Sequence, residues 1–310
     1  MNIVMNIINK YFVGPKKWYN ILILFIFVML LLFLVRFIKK RYMDEQKEGF
    51  SQNENFVLKL DNDIYDDFYV NQYETLRPPK DVLTFVIQST MPSEDSVFLD
   101  IGSGTGYILN ELNELGYNAY GIDKSKAMVE YSENKYPEST VKCGDAMDPI
   151  LYDKGIFSHI ICFGSTIYEI QDKRQFFQNC YFWLKPGGCL AVDLYEGEPF
   201  KTSSKPGILS EVFGEPRDYT ENQTNDAMVM FRDYQYRNRF IYDEKRKTGV
   251  RKEKFIDIVN GNIRENEQTL YIENSRDILL IASHNGFIVH AKFYMDETKN
   301  HSVYIFERTL

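Results

Sequence analysis

Residues 97–106 read Val-Phe-Leu-Asp-Ile-Gly-Ser-Gly-Thr-Gly, an apolar run carrying Asp100 that opens at once into Gly102, Gly104 and Gly106. A short apolar run between turn signals suits a parallel strand covered on both faces. The glycines let backbone amides approach a ligand that any Cβ would obstruct. A dinucleotide fingerprint, Gly-x-Gly-x-x-Gly, begins the same way, but here the third glycine comes one residue early and an acid precedes the turn. A carboxylate at that point repels a pyrophosphate and suits a ligand with an ammonium group.

Four further segments follow in order. A second strand, Tyr117 to Asp123, ends in an acid about 20 residues past the turn, where a carboxylate can accept hydrogen bonds from both hydroxyls of a ribose. A third, Ser139 to Cys143, runs into Gly144-Asp145-Ala146-Met147. A fourth, Phe157 to Phe163, leads through Gly164-Ser165-Thr166-Ile167-Tyr168-Glu169 to a helix, Lys173 to Leu184. Lys185-Pro186-Gly187-Gly188 closes that helix and turns into a fifth strand, Cys189 to Leu194. Ligands in open α/β sheets sit at the carboxyl ends of the strands, so acids closing three successive strands form a candidate site.

Residues 61–310, with these motifs in this order, resemble the class I S-adenosylmethionine-dependent methyltransferases. The resemblance implies an α/β fold, a Rossmann-like seven-stranded sheet that is mostly parallel with its last strand antiparallel, and S-adenosylmethionine as cofactor. It also implies cofactor contacts from Asp100, Gly102, Gly104, Gly106, Asp123, Asp145, Ala146, Met147 and Phe163. Asp100 would face the amino-acid end, Asp123 the ribose and Asp145 the adenine amino group, with the residues after Asp145 packing on the ring.

Between Glu196 and Tyr271 lie about 75 residues that a minimal fold of this kind does not need. Tyr234, Tyr236, Phe240 and Tyr242 share one parity and Asp233, Gln235, Arg237 and Arg239 the other, the alternation of a half-buried antiparallel strand. Lys254 to Val259 meets Asn260-Gly261, a hairpin signal. The stretch reads as a small antiparallel β lid inserted over residues 196–272, before a last helix opening near Ser275 and a closing pair, Phe287 to Tyr294 and Ser302 to Glu307. Such an insertion resembles the lid of small-molecule N-methyltransferases, including glycine and amino-sugar N-methyltransferases. Tyr65-Asp66-Asp67-Phe68-Tyr69 resembles their amino-terminal helix that folds over the cofactor, which offers Tyr65 and Tyr69, with Ser165, as substrate contacts.

The Asn/Asp-Pro-Pro-Tyr/Phe motif of many adenine and glutamine N-methyltransferases is absent after the fourth strand, where Phe163-Gly164-Ser165-Thr166 stands. The acceptor is therefore expected to be a small or lipid-like molecule, or a membrane-proximal amine, methylated on N or O. Transfer to an amine needs little beyond alignment, whereas a hydroxyl acceptor benefits from a general base. His159, His284, His290 and His301 fall within or beside helix and strand segments and read as structural or exposed. Tyr168 and Asp193 are the candidates to orient the acceptor.

Composition narrows the partners. There are 36 Lys and Arg against 44 Asp and Glu, and seven of the bases precede the first acid, Asp44. A body that acidic is a poor binder of nucleic acid, whose affinity comes mainly from neutralised phosphates. The basic run within Glu244 to Lys254 reads as a solvated hairpin. Cysteines 143, 162, 180 and 189 lack paired metal spacing and read as core thiols, three of them on strands expected to be buried.

Ahead of all this, Trp18 to Val35 contains no charge and reads as the core of a transmembrane helix over 18–38, after a tail at 1–17 and before a linker at 39–60. Arg36, Lys39, Lys40, Arg41 and Lys47 outnumber Lys10, Lys16 and Lys17, favouring a single pass with the carboxyl-terminal domain in the cytosol, where the cofactor is made. The sequons at Asn222 and Asn300 point the other way but arise readily by chance in an Asn-rich chain. Two competing expectations are a non-catalytic membrane-tethered S-adenosylmethionine-binding interaction module and a nucleotide-dependent dehydrogenase, the latter resting only on the shared strand, turn and helix.

Overall fold

The computed structural model describes residues 18–47, 55–196, 226–231, 233–295 and 299–309. The chain divides into two units, Met1–Glu48 and Gly49–Leu310.

In the first unit Trp18–Lys47 forms one helix, α1, whose side chains are described from Leu22 to Arg36. Every residue from Leu22 to Val35 is apolar and exposed. Among the described residues no helix is long and apolar enough to cross a membrane, so the expected transmembrane span finds no support there. The side chains at both ends of that span, at 18–21 and 37–38, lie outside the described residues.

The second unit begins with β1 (Phe56–Leu60), a 3₁₀ turn (Asp61–Ile64), α2 (Asp67–Leu76) and α3 (Leu83–Thr90). The main sheet follows: β2 (Val97–Ile101), α4 (Tyr107–Glu114), β3 (Asn118–Asp123), α5 (Lys126–Lys135), β4 (Thr140–Cys143), β5 (Phe157–Cys162), α6 (Lys173–Trp183) and β6 (Leu184–Tyr195). After the insertion come β7 (Asp226–Met230), β8 (Tyr234–Asp243), β9 (Thr248–Asp257), β10 (Ile263–Tyr271), α7 (Ser275–His284), β11 (Phe287–Tyr294) and β12 (His301–Arg308).

Seven strands pair in the order β11-β12-β6-β5-β2-β3-β4, parallel from β6 to β4, with β12 antiparallel to both of its neighbours. The central strands are apolar without alternation because both faces are covered. Leu99, Ile160, Leu190 and Val192 enter one core with Trp183, Phe176 and Phe177 of α6. Phe98, Ile161 and Ala191 enter the other with Leu83, Val86, Leu109 and Leu112. The expected turn at Lys185–Gly188 is a bulge inside β6: Phe157 pairs with Leu184 and His159 already with Cys189. Cys143, on β4, is exposed and departs from the expectation of a core thiol, whereas Cys162 and Cys180 are buried. β4 is an edge strand, covered less than its neighbours.

The second sheet has the order β1-β10-β9-β8-β7. Its four strands from the insertion are antiparallel, but β1 adds a parallel edge, Phe56 opposite Ile263 through Leu60 opposite Glu267. Residues 56–60 are thus a strand rather than the end of a linker, and the lid is completed from outside the insertion. The first part of the insertion, 197–225, lies outside the described residues. The basic run at Lys252 and Lys254 pairs across the ladder with Glu267 (2.5 Å) and Glu265 (2.7 Å), as a solvated hairpin does.

One ion pair locks α2 onto this sheet. Asp66 caps α2 by accepting from the Tyr69 amide and also takes Arg264 Nη1 at 2.9 and 2.8 Å. Arg264 is fully buried, and its other nitrogens reach Asn266 and the Ile64 carbonyl. Removing the partner of a buried charge is costly. Asp66→Asn is expected to lower the unfolding free energy by about 3 kcal/mol in urea denaturation. A loss below about 1 kcal/mol would show that the Asn side-chain oxygen still satisfies Arg264 and that the charge of Asp66 is not needed.

Candidate functional site

Gly102, Gly104 and Gly106 all adopt positive φ, +71°, +52° and +79°. Two of them are also jammed: a Cβ on Gly102 would sit 2.6 Å from Thr166 Cγ2, and one on Gly106 2.0 Å from Ser132 Oγ. Gly104 differs, because its nearest neighbours, the Gly102 carbonyl and Tyr73 Cε1, are both 3.9 Å from where its Cβ would lie. The turn is therefore tightly packed at its outer glycines and only in ordinary contact at its middle one, where a ligand can approach the backbone most closely.

A chain of hydrogen bonds runs outward from that opening. Asp123, closing β3, accepts from the Gly104 amide (2.9 Å) and the Ser125 amide (2.8 Å). Ser125 Oγ donates to the Tyr65 carbonyl (2.6 Å), and the Tyr65 hydroxyl donates to Glu169 Oε1 (2.8 Å) while accepting from Gln268 Nε2 (2.8 Å). Tyr65, Tyr69 and Tyr73 meet edge to face with centroids 5.7 to 6.3 Å apart. The second sheet thus reaches the carboxyl ends of the first through α2 and the residues before it.

Asp100 lies at the end of β2, 2% exposed, and accepts no side-chain hydrogen bond among the described residues. Burial, then the neighbouring Asp123 carboxylate, pushes its pKa up to about 7. Burial likewise lifts Asp123 to about 6, against the Ser125 and Gly104 amides. A buried acid without a partner is expensive unless a cation arrives or it keeps its proton.

The other expected residues are placed as follows. Asp145 is exposed, accepts from the Met147 amide at 2.8 Å and meets Lys124 at 3.0 Å. Ala146 and Phe163 are buried and Met147 half-buried, packed on the main core. Ser165 holds the left-handed conformation, φ +71°, with its amide aimed at both oxygens of Asp193, 3.2 and 3.3 Å. Asp193 also binds His301 Nε2 at 2.9 Å, and the His301 ring stacks on Tyr195. The Tyr168 hydroxyl is fully buried and takes the Tyr195 amide at 2.9 Å. Asp193 and Tyr168 thus both hold backbone around the segment after β5. Tyr69 is also consumed: its hydroxyl donates to Glu253 at 2.6 Å and receives Arg77 at 2.9 Å. Tyr65 precedes α2 rather than lying in it. His159 stacks on Phe98 inside the sheet, and burial drives its pKa down to about 4.

Sequence reasoning missed Glu169, Ser125 and Gln268. The signal for Gln268 was present in Arg264-x-Asn266-x-Gln268, a polar repeat of two on a strand whose alternate residues face inward.

Residues 99–192 match the methyltransferase domain family. With the strand order, this match makes the chain an S-adenosylmethionine-dependent methyltransferase with a Rossmann-like sheet of seven strands. Over 155 residues the chain is 27% identical to a phosphoethanolamine N-methyltransferase of Plasmodium falciparum, covering 44% of this chain and 55% of the other. It spans about half the length of the curated relatives it matches. Among solved structures it resembles the CcbJ methyltransferase of Streptomyces caelestis, with TM-score 0.64, 16% identity, and 81% and 100% of the two chains covered. It also resembles S-adenosylmethionine-bound CalS10, an amino pentose methyltransferase of Micromonospora echinaspora, with TM-score 0.55, 18% identity, and 78% and 96% covered.

The raised pKa of Asp100 sets a pH signature. In the native state it holds its proton to about pH 7 and in the unfolded chain only to about 4, so the native form binds more protons in between. Its contribution to stability is complete below pH 4 and is lost as pH rises through 7. Without ligand, melting temperature should fall from pH 5 to pH 8, and Asp100→Asn should remove a loss on the order of 3 kcal/mol. Parallel pH curves for the two proteins would place Asp100 in contact with water.

Proposed function

We propose that the chain transfers methyl groups from S-adenosylmethionine to a small-molecule amine. The observation that carries this reading is the loosely packed Gly104 close to Asp100, a buried carboxylate that accepts no hydrogen bond among the described residues. The chemistry of the acids fits the cofactor: Asp100 would take its ammonium group and Asp123 its ribose. Asp145 would take the adenine amino group, with Ala146, Met147 and Phe163 beside the ring. The cofactor supplies a methyl group on a positively charged sulfur, which leaves as a neutral thioether with the electrons of the broken C–S bond.

The chain's part is to hold, align and exclude water. Asp123 fixes the turn, Asp193 fixes the strained Ser165 segment, and the second sheet brings Tyr65 to the same side. An amine acceptor is supported by two relatives whose names specify nitrogen-bearing acceptors, phosphoethanolamine and a dTDP-linked amino sugar. The acid-lined site supports it independently, since carboxylates attract an acceptor that arrives as an ammonium. Titration calorimetry of the full chain should show S-adenosylmethionine and S-adenosylhomocysteine binding with micromolar affinity, weakened at least tenfold by Asp100→Ala or Asp123→Ala. Absence of binding by a folded wild-type chain overturns the reading.

Attachment to a membrane is a second part of the proposal. It rests on the uncharged sequence Trp18–Val35 and the exposed apolar side chains of Leu22–Val35, with the basic residues after them on the cytosolic side. After alkaline carbonate extraction the chain should remain with the membrane pellet. Release into the supernatant overturns attachment and leaves the methyl-transfer reading untouched.

A further inference from the structure

The site has one more acid than the cofactor accounts for. In the proposed reading Asp100 and Asp123 serve the cofactor, which leaves Glu169. One of its oxygens receives the Tyr65 hydroxyl, and the other, Oε2, receives no hydrogen bond among the described residues. Glu169 is half-buried, directly after the 3₁₀ turn Thr166–Tyr168 that packs against Gly102. It shares with Asp123 the hydrogen-bonded chain through Tyr65 and Ser125. Tyr73, whose Cε1 lies 3.9 Å from where a Cβ on Gly104 would sit, stands beside Tyr65.

Cations near these acids are already committed. Arg77 gives its guanidinium to the Tyr69 hydroxyl and to Glu253 (3.4 Å), and Lys124 meets Asp145. Arg251 donates to the Gln268 side-chain oxygen (3.0 Å) on the far side of that amide from Tyr65, and Glu169 itself has no ion pair within 4.0 Å among the described residues. Gln268 is buried and spends its side-chain amide on Tyr65, which fixes the Tyr65 hydroxyl as a donor toward Glu169. The carboxylate is thereby oriented from behind, with its second oxygen unspent.

We propose that Glu169, oriented by Tyr65 and Gln268, is the receptor for the acceptor's ammonium group, and that the site selects an amine without a phosphate. This rests on the methyltransferase reading above. An ammonium nitrogen has no lone pair to offer, so a proton must leave before attack. Here the N–H bond breaks, its electron pair stays on nitrogen, and an O–H bond forms at Glu169 Oε2; the proton then passes to water. A phosphorylated amine would bring two further negative charges beside Asp100, Asp123 and Glu169, which disfavours it. The proposal therefore separates this chain from the phosphoethanolamine enzyme it is similar to.

The test uses the full chain saturated with S-adenosylhomocysteine and two probes, ethanolamine and phosphoethanolamine, in titration calorimetry. Ethanolamine is expected to bind at least tenfold more tightly than phosphoethanolamine. Glu169→Gln should weaken ethanolamine at least tenfold while leaving S-adenosylhomocysteine affinity within twofold, which also certifies the fold of the variant. Tyr65→Phe, which keeps the ring and removes the orienting hydroxyl, should weaken ethanolamine several-fold. Equal ethanolamine binding by wild type and Glu169→Gln, no ethanolamine binding at all, or a preference for phosphoethanolamine each overturns the proposal. Failure of the wild type to bind S-adenosylhomocysteine overturns the methyltransferase reading instead.

Discussion

Asp123 divides its carboxylate between the amides of Gly104 and Ser125, and so ties the end of β3 to the glycine turn on one side and to the start of α5 on the other. Ser125 in turn caps α5 through the Met128 amide and holds the Tyr65 carbonyl. A single side chain therefore sets the position of the turn, a helix and the segment that enters α2. Without it Gly104 would have a free amide and no fixed orientation, and Tyr65 would lose its tie to the sheet. The same arrangement holds Asp123 close enough to Asp100 to raise the cost of ionising it. The fold concentrates negative charge where it has also removed water, and the charge that relieves the strain has to come with the ligand.

The second sheet solves a different problem. Its inward side is polar: Glu253, Arg264, Asn266 and Gln268 are all buried, interleaved with Phe255 and Leu270. Buried polar groups are tolerable only when their hydrogen bonds are made, and here they are made to α2 and the residues before it. Glu253 receives Tyr69, Tyr236 and Arg77, and these partners, Arg77 foremost, hold its carboxyl below the usual carboxylate range in spite of burial. An apolar face would have bound α2 as firmly. The polar one fixes its register, because each partner is specific, and register decides which tyrosine faces the glycine turn.

That distinction explains what was legible in the sequence. The strands of the main sheet announce themselves because burial on both faces demands uninterrupted apolar residues, and Phe98 with Leu99 or Ile160 with Ile161 are unambiguous. The glycine turn and the acids closing β2 and β3 were legible for the same reason: few residue types satisfy those positions. The inserted strands were recognised only by their alternation and hairpin signal. Phe56–Leu60 escaped because its alternation is weak, half-buried against exposed, and its partner β10 lies some 200 residues away. Glu169 escaped because nothing local marks it. It acquires a role only when Tyr65 and Gln268 arrive from opposite ends of the domain.

Asp193 and Tyr168, expected to orient the acceptor, are both found in hydrogen bonds to backbone amides, Asp193 to that of Ser165 and Tyr168 to that of Tyr195. Asp193 sits at the carboxyl end of β6, where ligands gather, yet its oxygens are filled by the Ser165 amide and His301. That is what Ser165 needs, since a residue with a Cβ at φ +71° persists only where its neighbours hold it there. The strained segment leads directly to Glu169. Asp193 therefore acts on the site at one remove, by fixing the backbone that carries the unspent carboxylate. The free oxygen, rather than the acid nearest a strand end, is where an acceptor can bind.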